Sequence, residues 1–164
     1  MGCGYMRLAL IGPGRSGKGE AALWLQRNTR LRYWGPTSKV IAPHAAARLG
    51  VSEAEAFRRR HEDRALWRAI GDELRANDPA ALARVTLTEG DICEGVRSRV
   101  EIEAVVREKL VDTIWWIDRS VAPDETLEFG IEYADAIIPN RGRIEDLYTR
   151  LRRLSAALGI LRAS

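Results

Sequence analysis

Gly12-Pro13-Gly14-Arg15-Ser16-Gly17-Lys18-Gly19 follows directly on the apolar run Leu8-Ala9-Leu10-Ile11. These residue types at this spacing, G-x-x-x-x-G-K, suit the grip of a phosphate chain. Glycines let the backbone curl until several N–H groups point at one anion. A helix predicted from about Glu20 to Asn28 adds the positive end of its dipole. Lys18 supplies a mobile point charge that reaches the outer phosphates of a nucleoside triphosphate. The bland alternative is a glycine turn that joins strand to helix. Arg15 lies inside the loop, but its direction cannot be read from sequence.

Phosphoryl transfer is mostly positioning and neutralisation of charge, so cations are expected at both ends of the reacting centre. Arg97 closes the segment Glu94-Gly95-Val96-Arg97 at the carboxyl end of a predicted strand, where open α/β sheets place ligands. A solvated loop is the alternative for both charges. Arg60, Arg64 and Trp67 share one side of a helix by their i, i+4, i+7 spacing. The two arginines could hold an acceptor phosphate or form a charged solvent face. Trp67 could stack on a base or pack in the core. Thr37 and Ser38 sit at a predicted helix start, which suits N-capping or a monophosphate. His61 and His44 are read as hydrogen-bonding or surface residues rather than catalytic bases.

Two loop positions depart from the usual chemistry. Position 19 is glycine, so the hydroxyl that normally meets magnesium is missing. Glu20 in the first turn suits the helix dipole but would repel a triphosphate, so its carboxylate is expected to point away.

The elements that must position these groups alternate strand and helix. Strands are expected over about 7–11, 91–94, 112–117 and 134–138. Helices are expected over about 20–28, 36–50, 62–76, 78–90, 98–110 and 144–158, with another opening at Ser52. Ser52 with Glu55, and Ser98 with Glu101, read as capping boxes. Asp78-Pro79 reads as a cap with proline at the first helical position. Leu66, Ile70 and Leu74 read as the buried line of their helix. This rhythm implies a parallel sheet covered on both faces.

Composition bounds the rest. The 164 residues suit one domain, 1–164. No segment reads as a signal peptide or approaches the length of a membrane span. The start, Met1-Gly2-Cys3-Gly4-Tyr5-Met6, misses the myristoylation pattern. Two cysteines, Cys3 and Cys93, make no disulfide framework, so a reduced, cytoplasmic setting is expected. The net charge of +3 is carried mostly by scattered arginines interleaved with acids, which argues against nucleic-acid binding. Five tryptophans leave core and interface, including a homodimer, both open.

Together these features resemble the P-loop nucleoside monophosphate kinases, most closely the phage-type deoxynucleoside monophosphate kinases. The resemblance rests on the Gly12 to Gly19 loop, with glycine after the lysine, and on ordered segments along most of the chain. These are Gly35-Pro36-Thr37-Ser38, Arg59 to Arg64 with Trp67, Asp91 to Arg97, Asp118-Arg119, and Ala134 to Asn140. It implies a three-layer α/β sandwich with a five-stranded parallel sheet. A helical monophosphate-binding insertion would span about 35–89, and a short lid-like loop about 119–131. It implies ATP as phosphoryl donor, Mg²⁺, and a nucleoside monophosphate acceptor. Gly12, Gly14, Arg15, Ser16, Gly17, Lys18, Gly19 and Glu20 would line the donor site, with Asn140 near adenine. Arg97 would hold the acceptor phosphate with Arg60 or Arg64, beside Thr37, Ser38 and Trp67. Glu94 resembles the acid that orients Mg²⁺ through water; its segment lacks the family's proline and is one residue shorter. Asp118 could assist the metal, or cap or pair locally. Arg119 resembles the arginine these kinases set over the triphosphate. The final 135–140 segment is also similar to dephospho-coenzyme A kinases, and a nucleotide-binding module without turnover is a further alternative.

Overall fold

A computed structural model describes residues 6–163. Cys3 and the amino-terminal Gly2 lie outside the described residues. Four strands form one parallel sheet: β1 (Leu8–Ile11), β2 (Ile92–Glu94), β3 (Thr113–Asp118) and β4 (Ala136–Pro139), in the order β2-β1-β3-β4. Seven α-helices lie among the described residues: α1 (Lys18–Asn28), α2 (Ser38–Leu49), α3 (Glu53–Arg58), α4 (Arg64–Arg75), α5 (Ala81–Glu89), α6 (Arg99–Arg107) and α7 (Ile144–Ala157).

Strand alternation divides the core. Leu8, Leu10, Ile92, Trp115 and Ile117 face α1 and α7, packing with Leu25, Leu147 and Leu151. Ala9, Ile11, Cys93, Ile114 and Trp116 face the other way, onto Leu87, Ile102, Val105 and Phe129. Side chains at period two therefore bury both faces of the sheet, as a parallel sheet requires.

The sheet has four strands among the described residues, not five. The segment 32–36 does run along the free edge of β2. Asp91 N–H donates to Arg32 O at 2.8 Å, and Thr37 N–H to Glu94 O at 2.7 Å. Only Pro36 forms a bridge, parallel to Glu94. Proline has no N–H to extend the ladder, and Gly35 before it turns the chain with φ +145°.

The helical segments between β1 and β2 share a core of their own, built on Ile41, Ala45, Ala56, Trp67, Ile70 and Leu82. The buried line of α4 is Trp67, Ile70 and Gly71; Leu66 and Leu74 are only partly buried. The expected line is thus rotated toward Trp67, because the indole fills the space against Phe57, 6.1 Å away edge to face. Ser52 caps α3 as expected, accepting Glu55 N–H at 3.2 Å. Asp78 instead braces the turn before α5, accepting Ala80 N–H at 3.0 Å, and the helix starts at Ala81. The capping box expected at α6 is absent on both halves: Ser98 makes no side-chain cap, and Glu101 is buried 3.5 Å from Arg75 rather than folded back. Helix α6 ends at Arg107, short of Leu110, where Lys109 takes φ +52°.

Candidate functional site

The glycine loop leaves β1 at the carboxyl edge of the sheet. Gly12 has φ +136°, and a Cβ there would lie 2.7 Å from Ile117 O. Gly17 has φ +101° and lies against Asn140. Only glycine meets both demands, so the loop's spacing is set by its backbone. Arg15 takes φ +61°, uncommon for a residue with a side chain. Asn140, 8 % exposed, donates its Nδ2 to Ser16 O at 2.8 Å, and its own N–H bonds Asp118 O at 2.6 Å. The end of β4 thereby fastens the loop to the sheet.

Lys18 is buried beneath the loop. Its Nζ donates to Gly12 O at 2.9 Å and to Pro13 O at 2.6 Å. Burial lowers its pKa to about 8, while the carboxylates of Glu94 and Asp124 oppose the drop and Arg97 adds to it.

Arg97 does reach the loop. Its Nη1 donates to Asp124 Oδ2 at 2.5 Å and to Thr126 Oγ1 at 2.7 Å. The same Asp124 Oδ2 accepts Gly14 N–H at 2.6 Å. Burial pushes the Asp124 carboxyl up, but Thr126, Arg97 and the Gly14 N–H overcome it and hold it far below the usual carboxylate range. Asp124 is a site residue that the sequence reading missed.

His61 lies in the field of several guanidiniums. Burial lowers the His61 pKa, and the guanidiniums of Arg60, Arg64, Arg15 and Arg97 lower it further. These arginines come from three separate segments and share one field. Arg60 is held by Phe57, donating to its carbonyl at 2.9 Å with the guanidinium 4.2 Å from the ring centroid. Arg64 and Arg15 are exposed. Trp67 is 6 % exposed and belongs to the core, yet its Nε1 and Asp63 Oδ2 have no hydrogen-bond partner among the described residues. Thr37 is buried beside Gly95, and Ser38 begins α2; neither side chain caps the helix.

Glu94 ends β2 next to Lys18. Its Oε2 accepts the Tyr33 hydroxyl at 3.0 Å. Burial and Glu94 together hold that hydroxyl well above its ordinary pKa. Tyr33, also missed, carries no motif that would have marked it. Asp118 is engaged elsewhere, accepting Arg141 Nη2 at 2.7 Å. Among the described residues no group of three or more His, Cys, Asp or Glu could hold a metal ion by itself. Mg²⁺ commonly takes one or two carboxylates and fills its shell with phosphate and water. Glu94 fits that role; Asp118, committed to Arg141, fits it less well.

The Glu20 side chain is engaged by Tyr148 of α7 and Arg27 of its own helix. Its carboxylate bonds the Tyr148 hydroxyl and lies 3.3 Å from Arg27, which ties α1 to α7. Gly19 faces open space: a Cβ at this position would meet nothing within 4 Å. Arg119 is not over the glycine loop. With Ser120, Asn140, Arg141 and Gly142 it lines a shallow depression of about 240 Å³ beside it. No helix among the described residues is long and apolar enough to cross a membrane. No protein-family model matches the chain, and no curated protein matches it.

Proposed function

We propose that the chain is a P-loop phosphotransferase that moves the γ-phosphoryl of ATP to a (deoxy)nucleoside monophosphate. The observation that carries this reading is the seat around Asp124 Oδ2. A loop N–H and a guanidinium from another strand end converge on one anionic oxygen, with a buried lysine beside them. Such donors, already oriented, suit a phosphoryl group whose charge is redistributed during transfer.

In this reading Lys18 and the loop amides hold the donor phosphates, and Asn140 keeps the loop in shape. The depression at Arg119 and Arg141 lies where the donor base would extend. Arg97 spans the two substrates, while Arg60, Arg64 and Arg15 draw the acceptor phosphate toward it. An acceptor oxygen attacks the γ-phosphorus in line as the bond to the β–γ bridging oxygen breaks, leaving ADP and a diphosphate. The acceptor phosphate is already an anion, so no base is required, which suits the non-catalytic placement of His61. Mg²⁺, when bound, would neutralise the phosphate charge, and Glu94 is the residue fitted to hold its shell.

The test is ADP release from Mg-ATP against the common ribo- and deoxyribonucleoside monophosphates, with Lys18→Ala as control. Turnover on one or a few, lost in the control, supports the reading and names the acceptor. ATP binding without turnover on any of them would instead favour a non-catalytic module or a different phosphorylated acceptor, such as dephospho-coenzyme A.

A further inference from the structure

The loop after β3 turns back over the glycine turn and lays a carboxylate into it. Asp124 Oδ2 takes Gly14 N–H and Arg97 Nη1, and Asp124 Oδ1 takes the Thr126 hydroxyl at 2.6 Å and its N–H at 3.1 Å. Glu128 fixes the same loop further on. Its N–H donates to Arg97 O at 2.9 Å, and its Oε2 accepts Arg99 N–H at 3.0 Å. The Asp124 side chain is 13 % exposed and its Arg97 partner 42 %, so the carboxylate is largely covered while the guanidinium remains open to solvent.

The binding groups are therefore satisfied from within. Lys18 is folded onto the carbonyls of Gly12 and Pro13, while Gly14 and Arg97 share one carboxylate oxygen. A phosphate needs those same donors, and one N–H does not serve two full anions at close range. We infer that Asp124 is an internal stand-in for phosphate: a carboxylate latch that fills the anion seat in the empty protein and swings out when polyphosphate enters. The inference rests on the phosphate-binding reading above and adds a regulatory step to it. Release of Asp124 frees Arg97 for substrate. It also loosens the stretch between Arg119 and the Glu128 anchor. Occupancy of the seat and the position of that arginine are then coupled.

Inorganic tripolyphosphate is the probe, titrated calorimetrically into the wild type and into Asp124→Asn, Thr126→Val, Glu125→Gln and Lys18→Ala. Asp124→Asn removes a competing charge-assisted contact and tightens binding by about tenfold. Thr126→Val, which loosens the latch without changing charge, tightens it by a smaller factor. Glu125→Gln, which neutralises an exposed neighbour in the same loop, changes affinity by less than about twofold. Hydrogen exchange on the wild type gives a readout that needs no variant. Saturating tripolyphosphate slows amides 12–19 and speeds amides 124–128. Equal or weaker binding by Asp124→Asn, or slower exchange at 124–128, overturns the latch while leaving the phosphate seat intact. No tripolyphosphate binding by any of these proteins overturns the seat, and the latch with it.

Discussion

Lys18 sets an upper pH limit on anion binding. The ammonium must carry its proton to attract phosphate, and burial has lowered its pKa to about 8 in the empty protein. A bound polyphosphate favours the charged form, so binding above that pKa must also take up a proton. Affinity for ATP is then level below about pH 8 and falls by about tenfold for each further pH unit. The terminal phosphate of ATP, with a second pKa of about 6, is fully ionised throughout this range. Arginines keep their charge, and Tyr33 is held well above its ordinary value, so neither produces a transition here. Calorimetric titration of ATP from pH 7 to 10 at fixed ionic strength reads the slope. Lys18→Ala binds more weakly and without the slope. A flat profile in the wild type, or the same slope in Lys18→Ala, refutes the assignment.

Stability must move the opposite way in the same window. Below about pH 8 both the folded and the unfolded chain hold the Lys18 proton, and folding bears the cost of burying the charge. Between about 8 and the ordinary value of 10.5 the unfolded chain binds the proton that the native state has released, so stability rises with pH. The side chain is 5 % exposed, so little solvent screening applies, and the rise amounts to about 3 kcal/mol over the window. Lys18→Met removes it. Urea unfolding of the two proteins across this window measures the difference. Loss of affinity with gain of stability, from one group, separates Lys18 titration from general alkaline unfolding.

Asn140→Ala leaves Ser16 O without its buried donor, costing about 1–3 kcal/mol of stability. It also weakens ATP binding by loosening the loop whose amides are proposed to hold the phosphates, and urea unfolding with calorimetry reads both effects. Glu101 has its carboxyl pushed up to about 7 by burial, opposed by Arg75, so the native state holds a proton that the unfolded chain loses from about pH 4.5 upward. Stability relative to Glu101→Gln therefore falls by about 3 kcal/mol between pH 4.5 and 7, measured as the pH dependence of the difference in unfolding free energy.

What the sequence disclosed follows from how local each signal is. The four strands were legible because each is a short apolar run ended by glycine, charge or proline. Lys18 and its loop were legible because strand, glycines and lysine are contiguous. The fifth strand failed at Gly35-Pro36, where one residue turns the chain and the next lacks a donor. Helical spacing put Arg60, Arg64 and Trp67 on one side, but α3 ends at Arg58 and α4 begins at Arg64, so Arg60 lies in the turn between them and shares no helix face with Trp67; nor could spacing decide how far the indole was buried. Asp124 and Tyr33 had no signal that marked them for a site. The local bonds of Asp124 to Thr126 are those of an ordinary turn; Gly14 and Arg97 lie 110 and 27 residues from it, Glu94 lies 61 residues from Tyr33, and an acid in a polar loop reads as solvated until the fold brings such partners to it. Asp118 and Arg119 kept their predicted positions at the end of β3, yet their side chains turned to Arg141 and to the depression beside the loop.

The two departures of the loop from ordinary chemistry separate once side chains are placed. Glu20 counted against turnover only if its carboxylate faced the phosphates. Tyr148 and Arg27 hold it on the α7 side, so its charge adds to packing between helices rather than to the seat. Gly19 is different. The space beside it is open, so nothing in the fold excludes a hydroxyl there. A metal ion at this loop would then lack that customary ligand, and in the proposed reading its orientation through water would fall to Glu94 at the end of β2, held in place by Tyr33. Asp124 gains weight in the same arrangement: with no hydroxyl at position 19, the anion seat is shaped chiefly by Gly14, Lys18 and Arg97, two of which the latch already occupies.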